Sequence, residues 1–355
     1  MILALTGGFL GSGKTTAIVN ACQRLISQHI KVAVITNDQG DQQVDSAFVR
    51  ALGVMVEEVG NGCFCCQYNE LESHLQHLQD TDHPDVIFAE SVGSCTDLIA
   101  TLVKPLSKRK PELKIVVSVF ADAGFLSAVM EGRTLFADES IRYIYKKQLE
   151  EADVLVINKT DTITPLQLEH VDTVIKLENP SKKIIHQNSL EDVSTWLTTI
   201  DQFSEVVSRH SLDIDYDIYG EGESKLAWLD KSIVIQAPHG NGAFIARGLI
   251  RSLFDQMQSY NCQIGHLKFF LDGKDWQQKI SFTATSTSGE VRIKQENVFQ
   301  LKMLINARVQ AEPEYLKKLV DEVIDRTKNT SACTITTERE SVFKPGYPVP
   351  VHRLE

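Results

Sequence analysis

The sequence predicts a doubly wound α/β domain with a mostly parallel sheet, followed by a smaller α+β domain. Three observations carry this expectation. Residues 1–205 alternate short β-branched runs with longer amphipathic stretches, a glycine-rich loop joins the first run to the first amphipathic stretch, and the composition turns acidic over 206–229 before a differently ordered set of elements fills 230–355. A chain of 355 residues can bury two cores, and its 43% hydrophobic and 23% charged fractions are those of an ordinary globular protein.

In the first region Ile2–Thr6, Val32–Thr36, Val86–Ala89, Ile115–Phe120, Val154–Ile157 and Ile184–Gln187 read as strands. They are apolar at successive positions, as strands buried on both faces of a parallel sheet must be. Ile18, Val19, Cys22, Leu25 and Ile26 recur at helical spacing, so a helix follows the glycine loop and crosses over to the second strand. Asp213, Asp215, Asp217, Glu221 and Glu223, with Gly220 and Gly222, read as a solvated acidic linker. They lack the Gly and distal Glu of a calcium loop.

Beyond the linker, Ser232–Gln236 reads as a strand and Phe244–Met257 as an amphipathic helix. Ile264–Leu271, Ile280–Thr285 and Met303–Val309 read as strands, and a helix opens at Pro313 with Leu316, Leu319, Val320, Val323 and Ile324 inside. That order, βαβββα, implies a largely antiparallel sheet. Phe343–Pro350 holds three prolines and reads as an extended tail strapped across this second domain.

A formal net charge of −11 excludes a general phosphate-backbone binder, so no nucleic-acid partner is expected. Met1–Thr6 has no basic flank and is too short for a signal peptide or a membrane span. The expectation is a cytoplasmic monomer or homodimer without a membrane partner. Seven cysteines, of which Cys22, Cys95, Cys262 and Cys333 are dispersed, argue against a disulfide framework.

Gly8-Phe-Leu-Gly11-Ser12-Gly13-Lys14-Thr15 fits G-x-x-x-x-G-K-[ST] between a predicted strand and a predicted helix, the context a phosphate-binding P-loop needs. Its glycines let backbone N–H groups turn toward phosphate oxygens, Lys14 reaches the β/γ-phosphates, the Thr15 hydroxyl ligates Mg²⁺, and Thr16 contacts the α-phosphate. Glu90-Ser-Val-Gly93 closes the third strand run, where P-loop proteins place the acid that holds Mg²⁺. Asn158-Lys159-Thr-Asp161 follows another strand as a guanine reader: Asp161 accepts from guanine N1–H and the 2-amino group, Lys159 covers the ring, and Asn158 anchors the loop. Asn37-Asp38-Gln-Gly-Asp41 follows the second strand as a candidate switch, with Asp38 a candidate for positioning water or metal. An Asx turn is the structural alternative.

Cys63-Phe-Cys65-Cys66 gathers three thiols in four positions, a donor set for a soft or borderline cation such as Zn²⁺. His74 and His77 could supply a fourth ligand from a helix face or form part of a solvated surface, and His266 lies in a predicted strand as a partner contact or a packed side chain.

Gly7–Thr16, Asn61–Cys66, Glu90–Gly93 and Asn158–Asp161, together with Gln148-Leu-Glu-Glu-Ala-Asp153, resemble the CobW-type P-loop GTPases, metallochaperones linked by name to cobalamin synthesis. The resemblance implies Mg²⁺-dependent, slow GTP hydrolysis to GDP, with Lys14, Glu90 and Asp38 at the chemistry. It also implies ligation of Zn²⁺, or of Co²⁺ in the cobalamin-linked branch, by Cys63, Cys65 and Cys66, and delivery to a client metalloprotein. Two departures stand out: the ten histidines form no run, and Asp38 and Asp41 stand where relatives often carry glutamates. A small-molecule kinase, and a thiol-based metal or redox sensor with structural GTP, are the alternatives in other functional classes.

Overall fold

The computed structural model describes residues 1–355 except 39–43, 134, 135, 137, 181, 189–191, 205–208 and 296, so Asp41 lies outside the described residues. The chain divides into two compact units. One comprises Met1–Gln39, Gly53–Gly222 and Tyr347–Glu355, the other Gly40–Leu52 and Glu223–Gly346.

The first unit is built on a seven-stranded sheet in the order β3-β2-β4-β1-β5-β6-β7. The strands are β1 (Ile2–Gly7), β2 (Val32–Asn37), β3 (Met55–Val59), β4 (Val86–Glu90), β5 (Lys114–Asp122), β6 (Val154–Asn158) and β7 (Lys183–Gln187), all parallel. This is the doubly wound, mostly parallel sheet the sequence predicts. Leu3, Val34, Phe88, Val116 and Val156 are wholly buried, which explains why these strands show no polar alternation. Trp196 packs edge-on to Phe120 and donates its indole N–H to Ser118 Oγ at 2.9 Å, so a large apolar body enters the core with its polar atom satisfied.

One strand of this sheet escapes the sequence reading. At the sheet edge β3 needs only one covered face, and Met55 and Glu57 are at least partly exposed, so the run carries no buried-strand signature. The segment expected as a solvated linker contains the helix Tyr216–Ser224, opened by Asp215 Oδ1 accepting from the Asp217 and Ile218 amides. Tyr219 in that helix is buried, an apolar anchor among the acids.

The second unit holds a five-stranded antiparallel sheet, β10-β9-β11-β8-β12, made of β8 (Leu226–Gln236), β9 (Gln263–Asp272), β10 (Gln277–Thr283), β11 (Gln300–Gln310) and β12 (Thr334–Phe343). Helices Gly242–Ser259 and Pro313–Thr330 cover one face, packing Leu249, Leu253, Leu319 and Val323 with Leu267, Phe269, Met303 and Ile305. Edge strand β12 is mostly exposed and rich in Thr, Glu and Arg, so its pairing with β8 is not legible as a hydrophobic pattern. The expected strap over this unit is not found: from Tyr347 the chain belongs to the first unit.

Period-two alternation turns Lys268, Lys279, Asn306 and Arg308 to the face opposite those helices. There the short helix Val44–Arg50 docks: Val44 N–H donates to Asn306 Oδ1 at 2.9 Å, and Asp45 pairs with Lys268 at 2.5 Å and Lys279 at 2.7 Å. Burial alone would push the Asp45 carboxyl up, but the two ammonium groups hold it well below the usual carboxylate range. An unfolded Asp titrates near ~3.9, so the pairs stabilise the fold above that pH and lose their contribution as pH falls through the lower folded value. Asp45→Asn is expected to cost about 2–3 kcal/mol at pH 7, somewhat below a fully buried pair because the side chain keeps some solvent contact. The difference from wild type should begin to shrink in urea melts as pH drops below about 4 and should vanish only below the lowered folded value.

Among the described residues, no helix is long and apolar enough to cross a membrane.

Candidate nucleotide and metal site

All the residues expected at the nucleotide and metal sites, apart from Asp41, sit at the carboxyl ends of the parallel strands, where doubly wound sheets bind ligands. The glycine loop leaves β1 and feeds the helix Lys14–Ser27. Two glycines are required there. A Cβ at Gly8, whose φ is +123°, would lie 2.2 Å from Phe120 O, and one at Gly13, at φ +94°, would lie 2.3 Å from Asn158 Nδ2. Lys14 Nζ crosses the loop to the Gly8 carbonyl at 2.6 Å and the Phe9 carbonyl at 3.3 Å. The Ser12 hydroxyl is buried with no hydrogen-bond partner, while Thr16 is exposed at the helix start. A left-handed glycine loop around an orphaned buried hydroxyl, at a helix N-terminus, fits a bound phosphate chain.

Thr15 Oγ1 donates to Glu90 Oε1 at 2.9 Å, so the two groups expected to hold Mg²⁺ converge across β1 and β4. They fit a hard cation that takes oxygen donors. Asn158 Nδ2 donates to Ser12 O at 2.9 Å, and Lys159 Nζ bridges Gly11 O and Asp122 Oδ2, each at 2.7 Å. The loop expected to read guanine is thereby laid against the glycine loop. Lys159 has φ +58° and starts a 3₁₀ turn, Thr160–Thr162, that carries Asp161 to the exposed side. Asp122 was not foreseen. It also caps the helix Ala123–Met130 by accepting from Phe125 N–H, and the N-cap chemistry of Asp before an apolar run was the available signal.

On the other side of β4 lies β2, whose last residue governs the thiols. Asn37 Nδ2 donates to Val59 O at 3.0 Å and Gly62 O at 2.7 Å, and its Oδ1 accepts from Phe64 N–H at 2.8 Å. The cysteine loop therefore hangs from the residue just before Asp38. Asp38 stands at the end of β2 with its own amide bonded to Val59 O. Cys66 N–H and Gln67 N–H both donate to Cys63 O, folding the trio into one turn that opens the helix Tyr68–Thr81. The Cys63 and Cys65 sulfurs are 2.7 Å apart, Cys63 and Cys66 3.2 Å, and Cys65 and Cys66 3.8 Å. Among the described residues these three form the cluster able to hold a metal. A tetrahedral Zn–thiolate site with bonds of about 2.3 Å spaces its sulfurs by ~3.8 Å, so Cys65 and Cys66 already stand at that spacing, Cys63 would have to draw away from both, and the three thiols are the donor type the ion takes.

The thiols are electrostatically unequal. Hydrogen bonds from Cys65, Cys66 and Cys95 hold the Cys63 thiol well below the usual range, whereas the same bond to Cys63 pushes Cys65 well above it and Cys66 to about 11. Cys22, outside the cluster, is pushed up to about 12 by burial.

Two features of this site were missed in the sequence, and one alternative was decided. Cys95, expected to stand alone, is bonded to Cys63. The tail crosses the thiol loop, with Val351 N–H donating to Cys65 O at 2.9 Å and the His352 ring edge-on to Tyr68. His74 and His77 turn to Glu57 at 3.2 and 3.8 Å, the solvated alternative rather than the ligand one.

Residues 2–186 match the family of the CobW/HypB/UreG nucleotide-binding domain. Among curated proteins, the chain is 26% identical over 186 residues to the zinc chaperone YeiR of Escherichia coli K12, covering 51% of this chain and 53% of that one. It is 30% identical over 192 residues to the zinc chaperone CobW of a Sinorhizobium species, covering 46% and 52%. It is 27% identical over 231 residues to the zinc-regulated GTPase metalloprotein activator 1 of Dictyostelium discoideum, covering 56% and 48%. The chain spans about half the length of the curated relatives it matches.

Proposed function

The chain belongs to the CobW/HypB/UreG family, and from that premise we propose that it is a GTPase that binds Zn²⁺ at Cys63, Cys65 and Cys66 and passes it to a client metalloprotein. One observation carries the reading: Asn37 ties the thiol loop to the end of β2, one strand from Glu90 and two from the phosphate loop. Strands lie about 4.8 Å apart, so metal and nucleotide would be held roughly 10–15 Å from each other on one sheet edge. Sites coupled through one hydrogen-bonded segment at that range would have reciprocally linked affinities.

Thr15 and Glu90 would hold Mg²⁺, which when bound would supply charge neutralisation on the transferred phosphate. The chain's own residues do the rest. The loop amides and Lys14 hold the β- and γ-phosphates in line, Asp161 selects guanine, and the Lys159–Asp122 pair keeps the base loop closed on the phosphate loop. With catalysis resting on positioning, intrinsic turnover is slow. Thiolate softness favours Zn²⁺ over a hard cation, and Co²⁺ fits the same donors. The dispersed histidines leave metal loading to the thiols.

The test is a Zn²⁺ titration with a non-hydrolysable GTP analogue and with GDP, on wild type and Cys65→Ala. The affinity is expected to differ between nucleotides and to fall in the variant by about a hundredfold or more. Independence from both nucleotide and Cys65 would sink the proposal. Transfer of phosphate to a metabolite, in place of free phosphate release, would make the protein a kinase.

A further inference from the structure

A fourth thiol lies beside the trio of Cys63, Cys65 and Cys66 in the first unit. Cys95 lies on the loop that follows Glu90, is 1% exposed, and is hydrogen-bonded through its thiol to Cys63, the sulfur that Cys65 and Cys66 also touch. It approaches the trio from the Cys63 side. We propose that Cys95 is the fourth thiolate of the zinc site and links the metal directly to the nucleotide-sensing loop. The inference rests on the zinc-binding reading above and extends it to a residue thirty positions away.

The loop is held by more bonds than a buried turn needs. Cys95 N–H donates to Val92 O, and Gln148 Nε2 donates to both Gly93 O at 3.0 Å and Cys95 O at 2.8 Å. Glu151 accepts from Leu98 N–H at 2.6 Å and from Thr96 Oγ1 at 3.3 Å. Gln148 and Glu151 are the conspicuous polar residues of the 148–153 stretch, and here they grip the two sides of Cys95. Asp97, at φ +67° and wholly buried, pairs with Arg353 at 2.9 Å and accepts from Tyr216 OH at 2.8 Å. Arg353 is two residues past Val351, which bonds Cys65. The tail therefore bonds both the Cys95 loop and the Cys63–Cys66 loop.

Chemistry favours the fourth thiol. Three thiolates leave one zinc position to water, but this site is covered by the tail, and Cys63, Cys65 and Cys95 are all buried. A closed tetrahedral site prefers a protein ligand there. A four-thiolate site binds too tightly to give up its ion unless one ligand can leave, and Cys95 is the one on the loop that begins at the Mg²⁺ carboxylate. Half-buried Cys66 leaves a path for an acceptor thiol or imidazole.

The experiment is zinc X-ray absorption on the full chain loaded with one equivalent of Zn²⁺, with GDP and with the GTP analogue, on wild type, Cys95→Ser and Cys22→Ser. Four sulfurs at about 2.3 Å are expected in wild type in at least one nucleotide state. Cys95→Ser should show three sulfurs and one oxygen or nitrogen near ~2.0 Å, with zinc affinity lowered by more than the ten- to hundredfold, roughly, that outer partners are worth. Cys22→Ser should match wild type. Three sulfurs in wild type under both nucleotides, or an unchanged shell in Cys95→Ser, overturns the inference while leaving the zinc-binding reading in place. Should the Cys95 variant fail to fold, the wild-type sulfur count decides alone. No bound zinc in wild type overturns the reading and the inference together.

Discussion

Asp161→Asn is expected to weaken GTP binding by about a hundred- to a thousandfold and to leave the weak binding of ATP nearly unchanged. In the proposed base site the carboxylate would accept two hydrogen bonds from guanine, and charge-assisted bonds of this kind are worth about 1.5–3 kcal/mol each. An amide can accept from N1–H but presents its own N–H₂ to the guanine 2-amino group. Xanthine carries an oxygen at that position, so xanthosine triphosphate should bind the variant better than GTP does. Fluorescent-nucleotide titrations with the three triphosphates read this directly. Equal GTP affinity in wild type and variant would remove Asp161 from the base site. The variant should stay folded, because Asp161 lies at the exposed end of a 3₁₀ turn while Asn158 and Lys159 make the bonds to the phosphate loop.

Asp230→Ala is expected to destabilise the second unit by about 3–5 kcal/mol, the cost of stranding a buried charge. Asp230 and Arg308 are both fully buried, 2.7 Å apart, and Asn306 Nδ2 donates to the same Asp230 oxygen at 2.7 Å. The guanidinium carbon stands 4.0 Å from the centroid of the Trp228 ring, a cation–π contact that cannot replace the lost carboxylate. The second change Arg308→Met should return much of the loss, since an apolar pair of similar volume avoids the desolvation penalty. Chemical denaturation of the single and double variants measures both. A double variant as unstable as the single would show that packing against Trp228, and not the stranded charge, sets the cost. Through Asn306 the same cluster holds Val44, so a weakened Asp230 variant should also lose protection of the Val44 amide in hydrogen exchange.

The parallel sheet was legible because buried strands such as Val86–Ala89 and Val154–Ile157 have to be apolar on both faces, and the phosphate loop because few backbones other than a glycine-rich turn can approach phosphate so closely. Edge strands β3 and β12 were not legible, since a strand with one open face and charged neighbours has no required pattern. The acidic stretch misled in another way: Asp215 is a helix cap and Tyr219 an anchor, roles that composition averages away. At the site, contiguous motifs could be read, whereas Asn37, Asp122, Cys95 and the tail act through contacts distant in sequence. Gln148 and Glu151 belonged to a recognisable stretch, but only the folded chain connects them to the loop carrying Cys95.

The allotment of Gly40–Leu52 to the second unit and Tyr347–Glu355 to the first means that the chain passes between the units at four places. A fragment ending at residue 222 would retain the cysteines but lose the Val351 amide that bonds Cys65, and it would expose Val44 and Val49, which are wholly buried in the full chain. Such a fragment is expected to be sticky and to bind metal differently from the parent. Chimeras that exchange the second unit between relatives therefore need four junctions, with the short helix moved and the tail left behind. A nascent chain, likewise, cannot finish its thiol site until the whole second unit has been made.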